Sequence, residues 1–524
     1  MYGLWGGKAS FGCVESFMDI PNDNRAYATL DERFGTVGRL GAARATLFWD
    51  SQTHMPPGGA WSRSEQLAAI DATCADLIVA PDTADLFGTA SEAVDALSQI
   101  ERTNLDEMRR VWRHGAAVPK ELVLERSRRV SAIQPIWLAA KQTNDFDLFG
   151  AAFAELLPLF REVAQAKGEA LGLSPFDALM DEFDPGLSTQ IVDPIFADLE
   201  RFLPELLAEV IERQESWPAP VPLDGDFSAE RQRALSYKLV RAVGHDPAHI
   251  RIDSAPHPFA LAGSPGDNRI TTRFDADNIR YAILATLHEA GHALYEAGLP
   301  HEHAFMPVGR ARGATAHESQ STMVEMQAGR SREFLSWLAP QCADAFGGDP
   351  AAWTVANILN TYRRVGSGFI RVEADEISYP LHIILRYRIE QALLRDDLKV
   401  ADIPGAWSDI SQAMFGRRPP DHATGCLQDM HWAVGLFGYF PNYALGVSLA
   451  AQLFERAVED DPAVLANLAD GDFGPYRAWV APRIHAKASQ VSFADLVVGA
   501  TGAPLSAAAL ERHLRRRYVD EEMP

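Results

Sequence analysis

A mainly α-helical protein with a small β element near its middle is the fold class this sequence predicts. Three observations predict it. Long stretches carry apolar residues at spacings of three and four, filled with the Ala, Leu, Glu, Arg and Gln that cost least in a helix. Period-two runs of β-branched residues are scarce and confined to one region. The 524 residues are 47% apolar and 23% charged, ordinary for a globular chain and enough to bury a large core without disulfides.

In chain order, residues 1–25 read as a loosely ordered N-terminal extension and residues 26–524 as one domain. The first residues lack a sustained apolar run and make a poor signal peptide. Helical patterns follow at Arg63 to Val79, Ala96 to Arg113, Lys120 to Lys141 and Asp147 to Gly168. Another runs from Leu199 to Glu215, with Pro204 in its first turn or at a kink. Ser216 to Asp226 is proline-rich and reads as a surface loop. His249 to Ile252 and Asn268 to Arg273 are the strand candidates, joined by Pro/Gly-rich turns. Asp277 to Ala297 is helical, with Asp275 or Asp277 as the cap and Gly298 and Pro300 as the stop. Ala433 to Phe454 is the most apolar long stretch; Pro441, Asn442 and Gln452 interrupt it, so it reads as buried packing and not as a membrane span. The C-terminal Ala509 to Pro524 reads as a charged amphipathic helix whose Leu514-Arg515-Arg516-Arg517 run is a solvated face.

Lys plus Arg is 48 and Asp plus Glu is 71, a net charge of −23. A phosphate backbone wants a basic stripe, so nucleic acid is not expected as a partner. The same field favours basic or neutral peptides over acidic ones. Cys13, Cys74, Cys342 and Cys426 are scattered without a CxxC pair, which fits a reducing cytoplasm and rules out a zinc knuckle or dithiol motif.

The informative motif is His288-Glu289-Ala290-Gly291-His292, an HExxH within the helical pattern. Spacing of four puts both imidazoles on one face, one turn apart, as two zinc ligands from one helix require. Glu289 then lies where it can take a proton from water. In a chain of this composition the pattern arises by chance about 0.03 times. A third ligand is needed. The metzincin arrangement is out, because Tyr295 and Gly298 stand where Gly and His belong. His301 and His303 lie past the helix end and read as surface residues. Glu318, on a later helix, is the best placed; Glu325, seven residues on and hence on the same face, remains open as the ligand instead, as support for a ligand histidine or as a salt-bridge residue. His317, next to Glu318, points elsewhere. Two histidines, one glutamate and an open fourth position describe a catalytic site, not a structural one.

At these residues the sequence resembles the thermostable carboxypeptidase (carboxypeptidase Taq) family of zinc metallocarboxypeptidases. The resemblance rests on blocks in order along the chain: Trp49-Asp50 with Met55 to Gly59 and Arg63-x-Glu65-Gln66; His257-Pro258-Phe259; Asp267 to Thr271 (DxRxT); the HExxH; His317-Glu318-Ser319-Gln320; Ile370-Arg371 to Glu376; and Gly425 to Trp432 followed by Gly438-Tyr439-Phe440-Pro441. It implies a large two-lobed helical fold around a deep central groove, a homodimer, and Zn2+ with Co2+ as a possible substitute. It also implies release of single residues from peptide C-termini, and Glu318 as third ligand beside His288 and His292.

A carboxypeptidase must hold its substrate's terminal carboxylate, and arginine offers a fixed bidentate fork. Arg269, Arg273, Arg363, Arg364 and Arg371 are available, and the family's blocks point to Arg269 and Arg371; Arg371 has the alternative of pairing with Asp375. Water attacks directly, Glu289 moving its proton to the leaving amine. The oxyanion needs a further donor, for which His431 is the first candidate and Tyr443, or Tyr439, the second. His257 orders the groove wall. Asp375 and Glu376 either orient a ligand histidine or complete a buried ion network. The rivals are other zinc peptidase specificities (dipeptidyl carboxypeptidase, endopeptidase, aminopeptidase) and a non-catalytic helical binding protein; the intact Glu289 speaks against the last.

Overall fold

The structure, a computed structural model, describes residues 25–521. The expected N-terminal extension therefore lies outside the described residues, Arg25 excepted. The chain begins with α1 (Arg25–Thr53), α2 (Ala60–Ile78), α3 (Thr83–Glu92), α4 (Gln99–Ala116), α5 (Lys120–Thr143), α6 (Phe146–Leu171), α7 (Pro175–Phe183), α8 (Thr189–Gln214) and α9 (Ala229–Val243). Three strands follow, β1 (Ile250–Ser254), β2 (Ala260–Ser264) and β3 (Asp267–Thr272). Then come α10 (Ile279–Ala297), α11 (Gly313–Thr322), α12 (Arg332–Phe346), α13 (Val355–Tyr362), α14 (Ser378–Leu394), α15 (Ile403–Phe415) and α16 (Pro441–Asp460), and four shorter helices to Arg515. The protein is mainly helical and two-lobed, with its small sheet beside the metal-ligand cluster.

Two large cores underlie the lobes. One gathers α5 to α8, α14, α15 and the C-terminal helix. The other gathers α9, the sheet and α10 to α13. Helix α16 serves both, sending Ala444, Leu445, Val447 and Ala451 into the first and Leu449, Ala450, Leu453 and Phe454 into the second. A helix apolar on all sides must be buried on all sides, and here that makes α16 the seam between the lobes. A smaller core joins α1, α3 and α4 along one side.

Several elements differ from the sequence reading. β2 occupies what reads as a turn: it pairs antiparallel with β3 across a tight Pro265-Gly266 bend, while β1 pairs parallel with β3, giving the order β1-β3-β2. Its short run of small residues carries no alternation to betray it. Helix α8 starts ten residues earlier than Leu199, because Val192, Ile195 and Phe196 continue the buried stripe through Pro194. The cap of α10 is Asn278, whose side chain accepts from Tyr281 N, since Asp275 instead closes the preceding turn on Asp277 N. The arginine run near the C-terminus is not wholly solvated. Arg517 is buried, and it binds Glu376 at 2.7 Å and the carbonyls of Met326 and Gln327.

Candidate metal centre

Helix α10 carries His288 and His292 on one face, and α11 crosses it carrying Glu318. The approach is close because Gly291 lies between the two histidines: a Cβ there would stand 2.6 Å from Gln320 O. From the other side α16 offers Gly446, where a Cβ would lie 2.6 Å from Glu318 Cγ. Asp184, buried, receives the Thr315 amide and hydroxyl and so caps the first turn of α11. Burial pushes this carboxyl up to about 7 against those donors.

One ligand atom each from His288, His292 and Glu318 lies within 4.8 Å of the others. His288 Nε2 is 3.9 Å from Glu318 Oε1 and His292 Nε2 is 3.7 Å from Glu318 Oε2. Ligands at about 2.0–2.2 Å from a tetrahedral zinc are spaced not far from this. Glu289 is buried, and its Oε2 has no hydrogen-bond partner, an orphan that a water or substrate proton would satisfy. Glu289, Glu318 and Glu325 against Arg330 leave two negative charges when ionised, matching a dication. The donor set therefore fits zinc.

The outer contacts separate the two glutamates that sequence leaves open. Glu325 Oε2 meets His288 Nδ1 at 3.1 Å, and its Oε1 accepts from Arg330 at 2.7 Å. It supports the ligand from a π-helical turn, Met323–Ala328, the kind of turn often found at functional sites. His292 Nδ1 meets the His317 carbonyl at 3.1 Å and His317 Nδ1 at 2.7 Å, and His317 Nε2 meets Glu296 at 2.8 Å. So His317 faces the back of a ligand, not the metal position. Burial would lower His288, but the Glu325 hydrogen bond and the Glu318 and Glu289 carboxylates outweigh it and lift it to about 10. Burial, then the imidazoles of His317 and His288, hold His292 neutral. Burial raises Glu289 to about 7, the range a base needs.

The cluster opens into a cleft of about 760 Å³ whose walls include Phe259, Phe305, Tyr439 and Tyr443. Phe259 packs edge-on against Trp49 at 5.2 Å and Phe48 at 5.8 Å, so the first sequence block braces the His257-Pro258-Phe259 block. His257 itself is exposed, and its carbonyl is held by Thr271 Oγ1. Tyr443 faces the cleft. His431 is buried behind it, Nε2 at 3.4 Å from the tyrosine hydroxyl. Burial, assisted by Arg371 and Arg386 against Asp429, pushes His431 down to about 3, which keeps it neutral.

Arg371 does not pair with Asp375. Its Nε and a terminal nitrogen bind Asp429 at 3.0 Å, and its guanidinium lies 5.1 Å from the Tyr443 ring centre. Arg386 shares the same carboxylate. Burial opposes the charge, but these two arginines hold Asp429 well below the usual carboxylate range. Two cations on one anion leave the cluster one positive charge in excess. Asp375 instead caps α14, accepting from the Ile377 and Ser378 amides. Glu376 lies in the buried network with Arg517 and Tyr518. Arg269 spends its fork on Asp267, with both contacts at 2.8 Å. Arg363 pairs with Glu521, and Arg364 reaches the Gln214 and Pro218 carbonyls.

Sequence reasoning did not find Arg330, Asp184, Gly446 or Glu390. Glu390 is fully buried and accepts from Trp432 Nε1 at 2.9 Å and Gly438 N at 3.0 Å, pinning the segment that carries His431 and Tyr439. Only Gly446, an isolated glycine in a long apolar helix, left a local signal.

A family model described as carboxypeptidase Taq (M32) metallopeptidase matches residues 29–518. Thermostable carboxypeptidase 1 of Thermus thermophilus is 34% identical over 509 residues, covering 94% of this chain and 98% of the relative. Carboxypeptidase 1 of Bacillus subtilis is 32% identical over 487 residues, covering 92% and 96%. Among solved structures, metallocarboxypeptidase 1 of Trypanosoma cruzi superposes with a TM-score of 0.92 at 35% identity, covering 94% of this chain and 99% of that one. Among the described residues no helix is long and apolar enough to cross a membrane.

Proposed function

The chain belongs to the carboxypeptidase Taq (M32) family of metallopeptidases, and on that premise we propose that it releases single residues from the free C-termini of peptides, with broad specificity, by Glu289-assisted attack of water. It is a metal-dependent carboxypeptidase. The observation that carries the reading is the His288, His292 and Glu318 cluster beside a buried carboxylate with an unpaired oxygen, at the foot of a cleft.

His288, His292 and Glu318 would hold the zinc, with cobalt as a substitute. Zinc in such a site supplies a Lewis acid and lowers the pKa of water. Glu289 takes the water's proton through its unpaired Oε2 and delivers it to the leaving amine. Tyr443 donates its hydroxyl to the developing oxyanion. His431, neutral behind it, positions that hydroxyl, and Tyr439 closes the same wall. Arg371 anchors the terminal carboxylate: the excess positive charge of the Arg371–Asp429–Arg386 cluster supports this. Arg269 shapes the strand edge in a pair with Asp267, and His257 orders the wall through its carbonyl.

Residues 26–524 act as a single domain of two lobes. Homodimerisation is supported by α2, which buries no residue and leaves Trp61 77% exposed. A cytoplasmic location is supported by Cys74, Cys342 and Cys426, all free. The net charge of −23 supports the exclusion of nucleic acid.

The test compares one peptide as free acid and as C-terminal amide, on zinc-loaded protein, with products followed by mass spectrometry. Stepwise loss of single residues from the free acid alone, abolished in Glu289→Gln, is the expected result. Equal cleavage of the amide would overturn carboxylate anchoring by Arg371, and internal cuts or release from the N-terminus would overturn the exopeptidase direction.

A further inference from the structure

The cleft is rich in carboxylates, with Glu289, Glu296 and Glu318 on its walls, yet one cation stands among them. Arg310 is the only arginine or lysine lining it, and its guanidinium makes no hydrogen bond or ion pair among the described residues. Its neighbour Arg312, two residues on, is buried against Glu107 at 2.7 Å. Glu296, the carboxylate nearest in kind, has its Oε1 on His317. Burial holds the Arg310 guanidinium below its usual range against the Glu296 carboxylate; Cys74 and Arg110 also act on it, neither of them an anion that pairs with it.

The backbone presents this side chain firmly. Arg310 follows the buried turn Pro307–Gly309, and its amide donates to Pro307 O. It is exposed to the cleft. Its place along the cleft follows from α10. At one end Arg371 stands against Tyr443, its guanidinium 5.1 Å from that ring centre, on the cleft wall that α16 contributes. Arg310 flanks the last turn: the amide of Arg312 donates to the Tyr295 hydroxyl at 3.1 Å, and a Cβ on Gly309 would run into His303 O, just past the helix end. From Glu289 to Glu296 is seven residues, a rise of about 10 Å. An extended peptide advances about 3.3 Å per residue, so this distance is about three residues of substrate.

We infer that Arg310 is a specificity-determining residue, which binds an acidic side chain of the peptide two or three residues upstream of the cleaved bond. The inference rests on the carboxypeptidase reading, with the terminal carboxylate held at the Arg371 end. It runs against the long-range field of a chain with net charge −23. That field is screened beyond about 8–10 Å at ordinary ionic strength, whereas a guanidinium in contact acts inside that distance. The field sets encounter rates, and the contact sets the preference of the bound peptide.

The test uses zinc-loaded full-length protein and N-blocked alanine peptides carrying one Glu, Gln or Lys at the first to fourth position upstream. The expected kcat/KM ratio of Glu to Gln is about tenfold at the second or third position and near one at the first and fourth, and it shrinks as salt rises. In Arg310→Gln the ratio falls to near one, and in Arg310→Glu the preference passes to Lys. A ratio near one in the wild type, or an unchanged ratio in Arg310→Gln, overturns the inference. Failure to cleave any of the peptides would count against the carboxypeptidase reading instead. The Kd ratio of the same peptides on Glu289→Gln protein, by calorimetry, then decides the Arg310 question by the same criterion.

Discussion

Replacing Glu325 by glutamine removes half of one carboxylate's work and keeps its shape. In the native site one oxygen faces His288 Nδ1 at 3.1 Å and the other accepts from Arg330 at 2.7 Å. Both neighbours present hydrogens: Arg330 always, His288 whenever Nε2 is free to face a metal. Glutamine has one acceptor oxygen. The charge-assisted bond to Arg330 is the stronger claim on it, so the amide NH2 turns toward His288 Nδ1. Two donors then face each other, and the imidazole relieves this by moving its proton to Nε2, the atom 3.9 Å from Glu318 and the one a metal needs bare. Loss of such a supporting contact weakens metal binding about 10–100-fold, or about 1.4–2.7 kcal/mol. Alanine would be a poorer probe, because it strands Arg330 as a buried charge at a cost of about 3–5 kcal/mol. The assay is zinc Kd by chelator competition at fixed pH, beside a thermal melt to confirm folding. An unchanged Kd in a folded variant would refute the reasoning. Lost turnover with full zinc occupancy would place Glu325 in the chemistry instead.

Tyr443→Phe should lower kcat about 10²–10³-fold with KM little changed, as removal of an oxyanion donor does; a change confined to KM would make the residue a substrate contact only. Gly446→Ala puts a methyl 2.6 Å from Glu318 Cγ and 2.7 Å from its Cβ. Metal analysis should show reduced zinc content, with about 1–3 kcal/mol of stability lost to overpacking; full zinc content and wild-type kcat would show that Glu318 can yield without cost. Burial, against the donors Trp432 and Gly438, pushes Glu390 up to about 8 from an ordinary 4.5. Between those values the folded chain keeps a proton that the unfolded chain has released, so this group's share of stability falls as pH rises through the window. The Tm advantage of wild type over Glu390→Gln should therefore be smaller at pH 8.5 than at pH 5, and a constant difference would mean that the group titrates normally.

Much of the centre is legible in the sequence because it is local. The four-residue spacing of His288 and His292 states their common face without any tertiary knowledge, and the same periodicity delivers α2, α4, α5 and α6 to within a few residues. A helix needs only neighbours three and four residues away, and that information lies in the chain order. What the spacing left open was which glutamate ligates. Glu318 and Glu325 sit on one stretch of chain, and only the crossing of α10, α11 and α16 turns one toward the two Nε2 atoms and the other toward His288 Nδ1.

The same holds for the arginines. Arg371 finds Asp429 across 58 positions, Arg312 finds Glu107 across 205, and Arg517 finds Glu376 across 141, none of which periodicity can announce. Arg310 is distinguished from them by a side chain with no hydrogen bond or ion pair among the described residues, a property no local pattern holds. His431 and Tyr443 differ in depth for a related reason: twelve residues apart in sequence, the tyrosine lines the cleft and the histidine is buried behind it, and depth belongs to the packed lobes. The sequence by itself determined the helices, the paired histidines and the glutamate between them, because those depend on interactions within a turn or two. Only the tertiary structure decided which charges meet one another, because pairing is settled by distances across lobes packed on α16.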